Sequence, residues 1–272
     1  HCVLIWRSFT HWIGGMGVLV FILSLLPLTG GYHMNLMKAE SPGPSVSKLV
    51  PKVQSTAKIL YGIYFGLTLI LVILLMLGGM NLFDSLIHAF GSAGTGGFSN
   101  YADSVGHFDS AYIDYVISIF MILFGINFNL YYFMLLGDFK AFWKNEELRV
   151  YLGIIATATI LITLNTNQMY GSIMKAFRYA LFQVSTIITT TGYATTDFNL
   201  WPTFSQCIVV LLMIIGACAS STGGGIKVSR LMIVFKGVKR EIKQLVHPKS
   251  VNLIRINRKK ISDETLRGVY VY

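Results

Sequence analysis

Residues 188–196 read ITTTGYATT: five threonines, one glycine, one tyrosine and no charge, between hydrophobic neighbours. The stretch is polar without being ionic, so its backbone needs partners. Inside a membrane, non-helical backbone is tolerated only where it is buried in protein or lines a watery cavity. The fold therefore turns on what surrounds this stretch.

The rest of the chain is apolar. Of 272 residues, 54% are hydrophobic and 12% charged, where soluble domains carry about 25% charged residues. An integral membrane protein accounts for that deficit. The sequence opens at His1 inside a hydrophobic segment with no recognisable signal peptide, and it reads as an excerpt of a longer protein. Cys2, Cys207 and Cys218 form no CxxC or Cys/His cluster, so they read as small buried hydrophobes rather than metal ligands or a disulfide framework.

The net charge of +10 is distributed as a membrane topology, not as a nucleic-acid surface. Residues 236–272 hold ten Lys/Arg against Glu241, Asp263 and Glu264, and residues 38–58 hold four Lys against Glu40. Residues 80–110 hold no Lys or Arg, only Asp84, Asp103 and Asp109. The positive-inside rule then places 38–58, 137–149 and 236–260 in the cytoplasm and 80–110 outside. Arg7, Lys175 and Arg178 are exceptions. The basic stretches orient the protein and touch anionic membrane lipid.

Apolar runs occupy about 3–28, 58–79, 110–136, 149–166 and 202–235. A membrane helix needs roughly 20 such residues. The last run, at 34 residues, would extend roughly 50 Å against a hydrocarbon core of about 30 Å. It should be interrupted, and Gly216–Gly225 (GACASSTGGG) supplies poor helix formers at that point. Between the runs lie 81–99 (NLFDSLIHAFGSAGTGGFS) and 173–196 (IMKAFRYALFQVSTIITTTGYATT). Each starts helix-compatible and then turns into Gly, Ser and Thr. Both read as re-entrant loops from the outer side, a short helix in and an extended strand back.

The two segments repeat. With Gly97 on Gly192, Leu86 meets Leu181, His88 meets Gln183, Thr95 meets Thr190 and Phe98 meets Tyr193. Units 58–136 and 149–235 follow the same plan of long helix, re-entrant segment and long helix in the same direction, as parallel repeats. Their turns keep the Thr-x-Gly-aromatic part of the T-V-G-Y-G loop whose backbone carbonyls replace the water shell of potassium. On this reading Thr95, Gly96, Gly97 and Phe98, with Thr190, Thr191, Gly192 and Tyr193, bind K+ through backbone carbonyls. Glycine lets the strand turn its carbonyls inward, a threonine hydroxyl adds an oxygen at the inner end, and the aromatic wedges behind. The competing reading, a Thr/Gly turn between helices, does not explain two such turns in matching places. A coupled carrier would want a carboxylate in mid-membrane; the middles of the long runs have none, and Asp114 and Asp138 lie near the ends of theirs.

With these motifs in view, the chain resembles the TrkH-type subunits of the Trk/Ktr/HKT superfamily of potassium transporters. HWIGGMGVLV (11–20), GTGGFS (94–99), TTTGY (189–193), GACASSTGGGIKVSR (216–230) and REIKQLVHP (240–248) carry the resemblance, which extends over nearly the whole chain. It implies an all-α polytopic membrane protein, K+-channel-like, with pseudo-fourfold helix–pore loop–helix repeats. Residues 1–37 are then the last helix of repeat one and its cytoplasmic end, and 38–57 a cytoplasmic loop. Repeat two is 58–136 with pore loop 81–99, followed by a cytoplasmic loop at 137–148. Repeat three is 149–245, with pore loop 173–196 and a broken helix at 202–245. Residues 246–272 are a cytoplasmic segment and the start of repeat four.

The same resemblance makes Gly216, Ala217, Cys218, Ala219, Ser220, Ser221, Thr222, Gly223, Gly224 and Gly225 a gate loop across the cavity below the filter. A kink that only relieves length mismatch is the other reading of these glycines, and the phosphate-cradling pattern G-x-x-x-x-G-K-[ST] is not met around Lys227. Asn127 and Asn129 either hydrogen-bond a neighbouring helix or, for Asn127, line the pore; both readings stand. Gly14, Gly15 and Gly17 suit close helix packing. His88 and His107 read as hydrogen-bonded outer-face residues. Asp84, Asp103 and Asp109 either concentrate cations at the mouth or are solvated loop acids.

The function expected is potassium uptake across the bacterial inner membrane by a multi-pass protein that is not an enzyme and holds no cofactor of its own. The family forms homodimers with one pore per subunit and docks a cytoplasmic ring of RCK-type regulatory subunits that bind NAD or ATP/ADP. Conduction of sodium alongside potassium is the first alternative, because some relatives carry serine at the first repeat's glycine and that position lies outside this chain. A proton- or sodium-coupled carrier is the second. A membrane enzyme would need a His/Asp/Glu or Cys constellation at one face, and the sequence offers none.

Overall fold

The computed structural model describes residues 2–17, 53–247, 254–257, 259–261, 266 and 268–269. The second half of the first apolar run, most of the loop at 38–57 and most of the expected start of repeat four lie outside the described residues. Among these residues ten α-helices follow in chain order: α1 (Cys2–Gly15), α2 (Val53–Leu77), α3 (Leu82–Ala93), α4 (Ala111–Phe124), α5 (Phe128–Leu135), α6 (Phe139–Lys144), α7 (Glu146–Tyr170), α8 (Ile173–Ile188), α9 (Thr203–Ile214) and α10 (Val228–Val246). A short antiparallel ladder, β1 (Arg255–Ile256) with β2 (Lys259–Lys260), is the exception among the described residues.

Among the described residues two helices, α2 and α7, are long and apolar enough to cross a membrane, with mean hydropathy 2.5 and 1.6. Phe65, Leu69, Ile70, Ile73 and Met76 stay exposed on α2, as do Ile160, Leu161 and Leu164 on α7. An apolar outer face of that kind suits lipid rather than water. Helices α4 and α5 pass the same test only as a bent pair. Asn81 starts α3 by accepting the Asp84 amide proton at 2.8 Å, the usual N-cap bond.

Helices α2, α3 and α4 pack as one unit and α7, α8 and α9 as another. Each short helix also leans on the unit before it, α3 on α1 and α8 on α4. The close approaches match. A Cβ added to Gly15 of α1 would lie 2.7 Å from Gly94 Cα, and one on Gly125 after α4 would lie 3.0 Å from Thr189 Cγ2. Gly94 and Thr189 are 95 positions apart, the offset of the sequence repeat. The same head-to-tail contact is therefore made at both junctions. Two buried tyrosines repeat as well. Tyr64 donates to the Trp12 carbonyl at 2.8 Å and Tyr151 to the Ile122 carbonyl at 3.3 Å. Each serves a carbonyl in the last turn of a helix, three residues before the glycine where that helix stops.

Several expectations are corrected. The run at 110–136 is not one helix, because α4 and α5 meet at 92°. The freed backbone groups of Phe124, Gly125 and Phe128 bond instead to residues 218–222. The last run is interrupted over 215–227, slightly wider than the glycine-rich stretch itself. The expected cytoplasmic loop at 137–148 contains α6 and the first turn of α7. Of the cysteines only Cys218 is buried, while Cys2 and Cys207 are exposed.

Arg178, a charge on the wrong side by the topology rule, is neutralised. Its Nε donates to Asp114 Oδ2 at 2.6 Å, and Asp109 stands 3.6 Å away. Asp114 is buried, so the pair joins α8 to α4 where water cannot replace it. Arg178→Ala is expected to lower the unfolding free energy by about 3 kcal/mol, because it strands a buried carboxylate. Adding Asp114→Asn should recover part of that loss. Thermal unfolding in detergent checks both.

Candidate functional site

After α3 the chain reverses so that the Gly96 and Gly97 amides donate to the Gly91 carbonyl at 2.8 and 3.5 Å. After α8 the Thr191 and Gly192 amides donate to the Thr186 carbonyl at 2.9 and 3.3 Å. Thr95 and Thr190 have φ of 53° and 58°, and Gly97 and Gly192 have 64° and 91°. Every one of these pairs is 95 positions apart, so the repeat extends to individual hydrogen bonds and backbone angles. Positive φ at threonine is rare for a β-branched residue. Each threonine hydroxyl compensates by donating to the carbonyl before it, Thr95 to Gly94 at 2.8 Å and Thr190 to Thr189 at 2.6 Å.

The two turns touch. A Cβ on Gly97 would lie 2.0 Å from the Thr191 carbonyl oxygen, whereas Gly192 faces open space and needs glycine only for its backbone angle. Along the second turn Thr191 and Tyr193 are buried while Thr190 and Gly192 are exposed. Behind it the hydroxyls of Thr189 and Thr191 meet at 2.8 Å, Thr189 donates to Ser185 at 2.6 Å, and the Gly192 amide reaches Thr186 Oγ1 at 3.0 Å. Tyr193 wedges into the first unit, donating to the His88 carbonyl at 3.1 Å and stacking on its ring at 5.6 Å. Phe98 does not wedge. It is 39% exposed, beside His11 and under the Arg7 guanidinium at 4.3 Å. Arg7 also donates to the Ser99 carbonyl at 3.2 Å, so this exception to the charge rule fastens the outer end of the first turn.

Residues 215–227 join the same place. The Gly216 amide donates to the Ile226 carbonyl at 2.8 Å and the Val228 amide to Ala217 at 3.2 Å, folding the segment on itself. It is tied to the α4–α5 bend through Cys218 to Gly125 and Phe128 to Ser220, both at 3.0 Å. It also meets both turns. Thr95 Oγ1 donates to the Thr222 carbonyl at 3.1 Å, and the Gly224 amide donates to Thr190 Oγ1 at 2.7 Å. All three sequence-predicted segments are therefore brought together. Asn127 sits at the bend, and its side chain accepts the Asn129 amide proton at 2.9 Å to start α5, a capping role neither reading anticipated. Of the three early glycines, Gly15 is at a close contact, Gly14 is open, and Gly17 has φ of 83°.

Two buried charged residues also hold the segment, of which the sequence singled out neither for this role. Glu147 Oε1 accepts the Ala219 amide proton at 2.7 Å and that of Ser229 at 3.2 Å, and the Lys227 ammonium donates to the Gly223 carbonyl. Both side chains are buried. The only signal for Glu147 was an acid just before an apolar run, which reads more simply as a loop residue.

On the outer side Asp84 is neither a field source at the mouth nor a solvated acid. It is buried and accepts from Asn81 at 2.9 Å, Asn100 at 2.7 Å and Tyr101 at 2.9 Å, stapling the returning chain to α3. That bond holds the Tyr101 phenol above its ordinary pKa. His88 is buried, between the Asp84 carbonyl at 2.8 Å and Ser99 Oγ at 3.0 Å, and so does not lie on the outer face. His107 stacks on Tyr101 at 3.7 Å. Asp103 remains exposed.

The TrkH family model, described as a cation transport protein, matches residues 1–271. The chain is 36% identical over 274 residues to the Trk system potassium uptake protein TrkH of Escherichia coli (strain K12), covering 99% of this chain and 57% of that protein. It is 33% identical over 277 residues to TrkG of the same strain, covering 99% and 56%. The fold is similar to the crystal structure of the potassium transporter TrkH from Vibrio parahaemolyticus, with a TM-score of 0.84 and 32% identity, covering 99% of this chain and 55% of that one. The chain thus spans little more than half the length of these proteins.

The two glycines should differ in stability. Gly192→Ala meets only backbone strain and is expected to cost about 1 kcal/mol. Gly97→Ala adds a collision with the Thr191 carbonyl and should cost clearly more, about 2 kcal/mol or above. Thermal unfolding of the two variants side by side checks the order.

Proposed function

The chain belongs to the TrkH family of cation transport proteins, and from that premise we propose that it forms the central part of a potassium uptake pathway in the bacterial inner membrane. One observation carries the proposal: two turns with the same hydrogen bonds and the same signs of φ stand in backbone contact, and one glycine-rich segment touches both. Filters need several backbone strands converging on one path. Separate helix connections would have no reason to share geometry or to meet.

Potassium sheds water at the carbonyls of Thr95–Phe98 and Thr190–Tyr193, together with further loops of the whole protein. Residues 216–225 close the path on the threonine side. Their bonds to Thr95 and Thr190 support that role, because the same hydroxyls would otherwise face the ion. The buried carboxylate of Glu147 is engaged by two backbone amides, which favours anchoring over proton relay and so a conducting path over a proton-coupled carrier. The assembled protein is a homodimer with a cytoplasmic ring of RCK-type subunits binding NAD or ATP/ADP. The exposed basic face of α10, with Lys239 and Lys243, supports a docking place for that ring.

The test uses the complete protein in cells stripped of their own potassium uptake. Rubidium influx at low external potassium, with sodium influx alongside, should be restored by the parent. Gly192→Ser should cut rubidium influx about tenfold, the equivalent of roughly 1.4 kcal/mol, or admit sodium. A parent that moves no rubidium, or a substitution that changes neither rate nor selectivity, reduces the turns to helix connections.

A further inference from the structure

We propose that Glu147 is the positioning residue that latches the gate segment shut and links it to the cytoplasmic helix α10. The inference rests on reading 216–225 as a gate. One carboxylate oxygen, Oε1, receives the amides of Ala219, within the segment, and of Ser229, just after it, ten positions apart. The carboxylate belongs to the first turn of α7, a 25-residue helix that offers a fixed support. Ser229 lies in the first turn of α10, where amides have no partner within the helix and the dipole favours a negative charge. The residue at the N-cap of α10, Lys227, makes no side-chain cap bond. Glu147 therefore caps α10 from a different helix, with charge-assisted bonds that are stronger than neutral ones.

The neighbouring residue faces the cytoplasmic side. Glu146 Oε2 pairs with Lys236 of α10 at 2.5 Å, Lys236 also donates to the Arg255 carbonyl at 2.8 Å, and the Glu146 amide donates to Asn257 Oδ1 at 2.8 Å. Two consecutive residues of α7 thus grip α10 at its start and about two turns further on, and one of them also holds the C-terminal ladder. A pull on α10 from the cytoplasm loads Glu146 first. Once that contact yields, the helix start moves away from Glu147, and the segment and the start of α10 lose their shared acceptor together. Bonds present in the closed arrangement alone set its population. A carboxylate that only satisfied buried amides would show no difference between open and closed protein.

The test uses the complete transporter in liposomes without its cytoplasmic partner, with every cysteine except Cys218 replaced by serine. Two readouts are rubidium influx and the rate at which a membrane-impermeant methanethiosulfonate modifies Cys218, which is buried in the segment. Glu147→Ala should raise both by about tenfold, the scale of one lost charge-assisted bond. Glu147→Gln keeps an acceptor oxygen without the charge and should raise both by about threefold. Deleting Ser220–Thr222 tests the gate itself and should raise influx on its own. If the deletion raises influx and neither Glu147 variant does, the latch is overturned and the gate stands. If the deletion also leaves influx unchanged, the gate reading falls first. Should Glu147→Ala fail to fold, Glu147→Gln decides, and wild-type values for it overturn the latch.

Discussion

Backbone amides and carbonyls that leave a helix inside an apolar slab must find new partners, since each one left bare costs about 1–3 kcal/mol. Nearly every feature of this protein's centre follows from that demand. The threonines of 188–196 meet it locally. Their hydroxyls take up the carbonyls of Ser185 and Thr189, and the hydroxyl of Thr186 just before them receives the Gly192 amide, so the turn is satisfied without a charge. The first turn has glycines at positions 94 and 96 where the second has threonines, and meets the demand through the Gly96 and Gly97 amides on the Gly91 carbonyl and the Thr95 hydroxyl on the Gly94 carbonyl.

The broken helices answer the same demand at longer range. Helix α4 stops at Phe124, and the carbonyls it frees are taken by residues 218 and 222, while Phe128 donates to Ser220. The interruption of one helix therefore stabilises the interruption of another. Because the segment 215–227 also bonds Thr95 and Thr190, the two turns and the segment share donors and acceptors. The segment and the turns are thus joined directly, Thr95 donating to the Thr222 carbonyl and the Gly224 amide to Thr190.

Charge follows the same logic. Arg7 and Arg178 break the topology rule because each has a structural partner, the Ser99 carbonyl with the Phe98 ring and the Asp114 carboxylate. Asp84 reads from the sequence as either a cation-concentrating acid at the mouth or a solvated loop acid, and Glu147 carries no local signal beyond an acid beside an apolar run. Each is instead buried and bound to amide or hydroxyl protons of chain brought from elsewhere, from 100–101 for Asp84 and from 219 and 229 for Glu147. Sequence distance hides such partners, and nothing in a local window announces them.

The sequence by itself determined the membrane setting, the two repeated units, the turns at Thr95–Phe98 and Thr190–Tyr193, and the need for a break near 216–225. These rest on composition, on run length against bilayer thickness, and on an offset of 95, all of which are local or periodic. Only the tertiary structure decided that α4 and α5 bend apart at Gly125, that Tyr193 wedges inward while Phe98 does not, and that Glu147 holds the glycine-rich segment. Those outcomes depend on which backbone groups meet across the units once the chain is packed. A helix is continuous or broken according to whether a better partner for its carbonyls arrives from outside it, and that partner's position is a property of the fold.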